Sequence, residues 1–276
     1  MENTKTVKAL KKQLVAAIAM VLVAAIALGS STYAWFVSNN KVTGTTTNIS
    51  AQSNSAYLVI DKTTTSKKSK DNFSYADDKD TQEKTAALYP AQVTANGVWQ
   101  SAYASETGKA AEKAETRFDI TSTDVAAGSA EAAVAEKYAI THKFYIGTGT
   151  YDGEFKDLVV SDISLSAPST DIANAMRVLV KCGTNWQVWR YDADTEKGVQ
   201  VTTYKTTAAD EVALSGQSKV IAASVKKDAD AEVDVYVYYD GADGNIYSDN
   251  LENLLADCGV TVTFEATPVT HGEKTN

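Results

Sequence analysis

Hydrophobic and polar positions alternate with a period of two along much of the chain after residue 41, the signature of half-buried β-strands. The surest case is Tyr138–Gly147, where Tyr138, Ile140, His142 and Phe144 share one side and Ala139, Thr141, Lys143 and Tyr145 the other. In Glu232–Tyr239, Val233, Val235, Val237 and Tyr239 oppose Asp234, Tyr236 and Tyr238. Leu158–Ala167 places Val159, Ser161, Ile163 and Leu165 together, Ala175–Lys181 groups Met176, Val178 and Val180, and Val260, Val262 and Phe264 share a face near the end. Ser55–Asp61 is apolar on both sides, as a core strand of a sandwich is. Asn96-Gly97 and Gly183-Thr184-Asn185 read as hairpin turns, the second joining Ala175–Lys181 to Trp186–Tyr191. Strands follow one another at short spacing without a βαβ rhythm, which predicts an all-β sandwich with short helices in its connections.

Three stretches fall outside the alternation. Lys62–Lys84 is polar and charged and reads as an exposed insertion. Ser105–Glu115 and Ala126–Ala135 are alanine-rich, the first read as a surface helix and the second as a helical turn or a loop. In Asp249–Asp257, Leu251, Leu254 and Leu255 stand at helical spacing behind Asp249, a candidate N-cap.

The N-terminus has a different pattern. Lys5, Lys8, Lys11 and Lys12 precede an unbroken apolar run, Leu14–Leu28, and the small-residue stretch Gly29-Ser30-Ser31-Thr32-Tyr33-Ala34 follows. This is the three-part layout of a helical export signal, residues 1–34, with cleavage between Ala34 and Trp35. Its 15 apolar residues fall short of the roughly 20 that span a bilayer. The competing reading is a retained anchor with Tyr33, Trp35 and Phe36 at the membrane interface. Both place residues 35–276 outside the cytoplasm as one domain, touching the membrane through the N-terminal segment alone.

Four of the 26 basic and one of the 35 acidic residues lie in that segment, leaving 22 and 34 in residues 35–276, a net charge of −12. A surplus of this size disfavours nucleic acid and anionic lipid as partners. It suits a soluble surface protein. After export Cys182 and Cys258 meet an oxidising compartment and either pair as a disulfide or stand as two buried thiols. Their spacing and the two histidines exclude a zinc motif.

Thr32-Tyr33-Ala34-Trp35-Phe36, with the polar Ser38–Thr43 after it, resembles the SipW-type signals of the TasA/camelysin family of Gram-positive exported proteins. A second likeness lies at the other end, where EVDVYVYYDGADG leads to the closing strand GVTVTFEA. Asp240-Gly241-Ala242-Asp243 departs from the family's usual turn. The resemblance implies a jelly-roll-like β-sandwich and a secreted role in the cell surface or biofilm matrix. It implies processing by a signal peptidase, then association with itself or another matrix protein. It also gives weight to residues 35–54 as a donor strand for a neighbouring copy, with Trp35, Phe36, Val37, Val42 and Ile49 filling pockets. The alternative is that the segment is the molecule's own first strand.

An enzyme finds little support in the sequence. There is no H-E-x-x-H and no G-x-S-x-G, and His142 and His271 are the only histidines. No catalytic residue, cofactor or metal is expected. The turn bearing Asp240, Asp243, Asn245, Asp249 and Glu252 fails the EF-hand pattern because Ala242 and Gly244 stand where oxygen ligands belong. Trp186, Trp189, Tyr191, Tyr236, Tyr238 and Tyr239 are candidates for a sugar-stacking surface, the basis of an alternative reading as an extracellular ligand-binding or adhesion module.

Overall fold

The computed structural model describes residues 17–18, 20–21, 42–53, 58–66, 68–75, 86–101, 117–166, 170–206, 210–244, 246 and 257–269. It divides into two units, Met1–Asn40 and Lys41–Asn276. In the first, residues 17–18 and 20–21 are helical, with Ile18, Met20 and Val21 exposed. No helix among the described residues is long and apolar enough to cross a membrane. Ala34, Trp35, Phe36 and Val37 lie outside the described residues, as do the helices expected at Ser105–Glu115 and from Asp249.

The second unit is an all-β, sandwich-like fold. One sheet contains β1 (Val42–Ser53), β3 (Asn72–Ser74), β9 (Glu154–Ser166), β15 (Ala222–Lys226) and β17 (Asp257–Pro268), in the order β15-β9-β17-β1-β3, with β4 (Ala86–Leu88) on the start of β1. The other contains β2 (Val59–Asp61), β8 (Ile140–Gly147), β10 (Met176–Cys182), β11 (Asn185–Asp192), β12 (Lys197–Gln200) and β16 (Ala231–Tyr239), in the order β12-β11-β10-β16-β8-β2. The long strands β1, β8, β9, β10, β11, β15, β16 and β17 swap sheets as they do in a jelly roll, giving β15-β9-β17-β1 against β11-β10-β16-β8. One pairing departs from that plan. β1 runs parallel to β17, from Asn48 opposite Gly259 to Ser53 opposite Phe264, the one parallel ladder among the described strands.

The inner faces of both sheets close over a common core. Phe144, Val178, Val180, Val233, Val235 and Val237 come from one side, and Ile49, Phe155, Val260, Val262 and Phe264 from the other. Part of the outer face of the β12-to-β2 sheet is covered as well, around β10, β11 and β16. β5 (Ala91–Val93), β6 (Trp99–Ser101) and β7 (Phe118–Asp119) form a small sheet that, with helix α1 (Ala130–Ala135), buries Leu179, Trp186, Tyr236 and Tyr238 in a second core. Trp99 is fully buried there and meets Tyr238 edge-on, with ring centroids 4.7 Å apart.

Local chemistry explains the details. Asn96 and Gly97 both have positive φ, 61° and 74°, the geometry that Asn-Gly supplies in tight hairpin turns, here between β5 and β6. A Cβ on Gly97 would press on the Trp186 indole at 3.1 Å. Ser129 caps α1 by accepting from Ala132 N at 3.1 Å, so the alanine-rich stretch is a helix. A second short helix, α2 (Thr170–Ala175), which the alternation did not anticipate, leads into β10.

Two expectations need correction. From Leu158 onward the buried side chains of β9 are Leu158, Val160 and Ile163, whereas the alternation groups Val159 with Ile163. The register against β17 slips beside Ser161, which has no register partner between Val160 and Asp162, and this bulge reverses the inward face. Asp162 accepts from Ile163 N at 2.8 Å and from Gly198 N at 3.1 Å at that point. The stretch 62–84 is not wholly an exposed insertion. Thr65 is fully buried, donating from N and Oγ1 to Asp230 at 2.6 and 2.7 Å, and β3 extends the sheet beside β1.

His142 faces the common core from β8, 8% exposed, stacked on Tyr75 with ring centroids 4.0 Å apart. Burial pushes its imidazole down to about 4. The folded chain therefore holds His142 neutral, while the unfolded chain takes up a proton below about 6.5. The stability contributed by His142 is complete above pH 6.5 and is lost as pH falls toward 4. We expect acid to cost about 2–3 kcal/mol through this group. Urea midpoints at pH 7 and pH 4.5 should converge in His142→Phe relative to the wild type; an unchanged pH dependence would remove His142 as the cause.

Candidate functional site

Arg177 is the charged residue buried most deeply in the central sheet. Met176, Val178 and Val180 on β10 turn to the common core, so Arg177 and Leu179 turn to the other face. Its neighbours in register are Arg190 on β11 and Tyr238 on β16. A guanidinium placed there has to find all its acceptors inside the protein.

The turn after β16 provides them. Arg177 Nη2 lies 3.1 Å from both Asp240 Oδ2 and Asp243 Oδ2, and Nη1 donates to the carbonyls of Met176, at 3.0 Å, and Asn174. The turn is wound inward by its own backbone. Asp240 N donates to Ala175 O and Gly241 N to Ala91 O, both at 2.9 Å, and Ala242 N donates to Asp240 Oδ1 at 2.9 Å. Burial works against the charge on Arg177, yet the two carboxylates outweigh it and hold the guanidinium above its ordinary value. Burial likewise pushes Asp240 up, against the pull of Arg177. The two acidic residues of this turn are thus committed to an arginine. Among the described residues no group of three His, Cys, Asp or Glu side chains is placed to hold a metal ion.

Beside this cluster lies a cavity of about 340 Å³ lined by Gln92, Arg177, Arg190, Tyr204, Asp240 and Asp243, among others. Its outer wall is the hairpin of β13 (Thr203–Lys205) and β14 (Glu211–Ala213). Arg117 reaches the same region, donating from Nη1 to Lys205 O, with Asp240 and Tyr204 as its electrostatic neighbours. Two features are unusual. Gln92 Oε1, on a side chain 3% exposed, and Arg117 Nε and Nη2 are buried without a hydrogen-bond partner among the described residues. A second cavity, of about 330 Å³, borders Trp99, Leu179 and Trp186, with the Lys181–Glu131 ion pair, 2.9 Å, at its edge.

The other sequence candidates are dispersed. Val42 pairs through its backbone with Leu88, and Ile49 is fully buried in the common core, so both belong to a strand in the chain's own sheet. Cys182, half-buried at the end of β10, is a free thiol, so no disulfide joins it to Cys258. Cys258 belongs to β17 in the opposite sheet, and its side chain lies outside the described residues. Burial pushes the Cys182 thiol up, and Asp234 and Glu232 add to the effect. The aromatic set offers no flat exposed surface. Trp186, Tyr236, Tyr238 and Tyr239 are buried, and half-buried Trp189 donates to Gln187 Oε1 at 3.0 Å.

Sequence reading missed Arg177, Gln92 and Arg117. The available signal was one arginine inside the otherwise apolar AMRVLV, a residue type almost never fully buried unless paired.

Sheet orders and cores define the class as an all-β, jelly-roll-like sandwich with an added outer layer. Comparison with protein-family models, curated proteins and solved structures finds no match to this chain.

Removing the arginine while leaving the carboxylates should be severe. We expect Arg177→Met to cost about 3–5 kcal/mol at pH 7, because two buried charges lose their partner. Without Arg177 the folded carboxylates bind protons more tightly than the unfolded ones, so the deficit should shrink as pH falls toward 4. Chemical denaturation across pH checks this. A loss under 1 kcal/mol, or one constant with pH, would show that the cluster does not hold the turn.

Proposed function

We propose that this chain is a secreted, non-enzymatic structural protein of the cell surface or biofilm matrix, whose copies associate by exchanging β1. The observation that carries the reading is the parallel pairing of β1 with β17 in an otherwise antiparallel two-sheet fold. β1 lies in the chain's own sheet, so exchange here means that β1 of one copy takes the same slot in the next. The slot is a core-lining one, with Ile49 and Ala51 buried in it. Strand addition of this kind uses backbone hydrogen bonds for affinity and alternate side chains for register.

The segment before β1 supports export. Its lysines, apolar run and small residues fit a signal cut between Ala34 and Trp35, which would leave seven residues, Trp35–Lys41, ahead of β1. The net charge of −12 on residues 35–276 favours solubility before assembly. The buried aromatic residues remove the sugar-stacking surface on which the alternative adhesion reading rested.

Locking β1 at home tests the proposal. Ala51 and Val262 are register partners, both buried on the core side, and adjacent strands bring paired positions within disulfide reach. In a chain with Cys182→Ser and Cys258→Ser, Ala51→Cys with Val262→Cys should give a monomer when oxidised. The same protein should form large assemblies when reduced and concentrated, as read by sizing and electron microscopy. Monomers under both conditions would sink the assembly reading. N-terminal sequencing of the exported protein should begin at Trp35.

A further inference from the structure

The cavity behind the β13–β14 hairpin contains unmet hydrogen-bonding groups beside ionised side chains of both signs. Arg177 faces Asp240 and Asp243, Arg117 has Asp240 as its acidic neighbour, Arg190 lies 3.8 Å from Asp192, and Lys205 is the cross-strand partner of Glu211. Glu211 Oε2 also accepts from Thr203 Oγ1 at 3.1 Å. A cation entering this site would meet Arg177 and Arg190, and an anion the carboxylates of Asp240 and Asp243.

Single hydrogen bonds are another matter. Gln92 Oε1 is an acceptor without a donor, and Arg117 Nε and Nη2 are donors without an acceptor, among the described residues. Leaving such groups buried and unpaired is costly, so natural folds keep few of them. Gln92 lines the cavity and Arg117 packs beside it, bound to the carbonyl of Lys205 on its wall. Val201, Tyr204 and Ala242 give the lining an apolar side. The matching ligand is uncharged, offers donors and acceptors close together, and has an apolar face. A sugar ring meets all three conditions, since each hydroxyl both donates and accepts and its C–H face is apolar. At about 340 Å³ the space lies at the small end of ligand cavities, which run from about 300 to 1,000 Å³, and suits a short unit.

We propose that this cavity binds a neutral sugar unit, with Gln92 as acceptor for a ligand hydroxyl and Tyr204 beside the ring. The site does not depend on strand exchange: among the described residues, none of those lining it belongs to β1, and a monomer would keep it. It also differs from the aromatic surface dismissed above, because its recognition is polar and enclosed.

The test is saturation-transfer NMR and calorimetry on the purified exported protein with glucose, galactose, mannose and N-acetylglucosamine, and with glycine and inorganic phosphate as charged counterparts. At least one sugar should bind saturably, with an affinity insensitive to added salt because no charge is matched on binding. Gln92→Met should weaken it about tenfold, equivalent to about 1.4 kcal/mol, while the thermal midpoint holds or rises because an unpaired acceptor is gone. Tyr204→Ala, at a half-buried position, gives a second reading if the first variant fails to fold, and should also weaken binding. The proposal falls if no sugar binds saturably, which would leave water as the occupant. It falls equally if phosphate or glycine binds in place of a sugar, or if affinity survives in every variant that folds.

Discussion

The middle of the β12-to-β2 sheet, where β10, β11 and β16 lie side by side, is buried on both faces, and most of the second unit follows from that. Val178, Val180, Val233, Val235 and Val237 look into the common core while Leu179, Tyr236 and Tyr238 look into the outer one. Charges on these strands otherwise stand toward their open ends, as with Lys181, Glu232 and Asp234, and a position between the two cores leaves a charge no water. Arg177 is placed there nonetheless, so the turn after β16 folds back to meet it with two carboxylates. That turn also ties the outer layer down, through Gly241 N to Ala91 O and a bridge between Ala91 and Asp240. A buried charge in this position is poor as a source of stability compared with an apolar residue. Its consequence is geometric: one guanidinium fixes where the turn, β5 and the wall of the polar cavity meet.

The outer layer gives the molecule two chemically different halves. The common core is mainly apolar, and its buried histidine, His142, is kept neutral by burial beside Tyr75. The outer core mixes the packing of Trp99, Trp186 and Tyr238 with a border of arginines, carboxylates and amides. Polar groups accumulate where β10, β13 and β16 come together because that corner is only partly closed. Unpaired hydrogen-bonding atoms there are costly to the fold, and such costs are characteristic of places where a sequence departs from its own packing rules for the sake of a ligand.

How far the sequence disclosed this depends on the range of the interaction. Alternation is local, so the faces of β8, β10, β16 and β17 were legible residue by residue, and Asn96-Gly97 announced its turn. Bulges defeat a strict period of two, which is why β9 was assigned the wrong inward side chains at Val159. Buried and exposed aromatic residues look alike in one dimension, so the covering of Trp186 and Tyr238 by a separate layer could not be read from WQVWRY or EVDVYVYY. Pairings between distant segments left no mark at all. Thr65 with Asp230, Arg177 with Asp240, and Ile49 opposite Val260 each join residues far apart in the chain.

That last pairing bears on assembly in a way the energetics make plain. β1 contributes Ile49 and Ala51 to the core, and burying an isoleucine side chain is worth about 1.5–3 kcal/mol. Withdrawing β1 would also open the edge of β17, along a ladder running from Thr45 to Ser53, and unpaired strand edges seek partners. A chain whose own β1 has left the slot therefore gains most by taking an identical strand from a neighbour. In such a swap the same side chains pack into the same slot, supplied by another molecule, so the balance passes from packing energy to chain entropy and concentration. The parallel direction matters here. β1 enters beside β17 without a hairpin to bind it there, so exchange would break that ladder and those with β3 and β4 but no tight turn between the two strands.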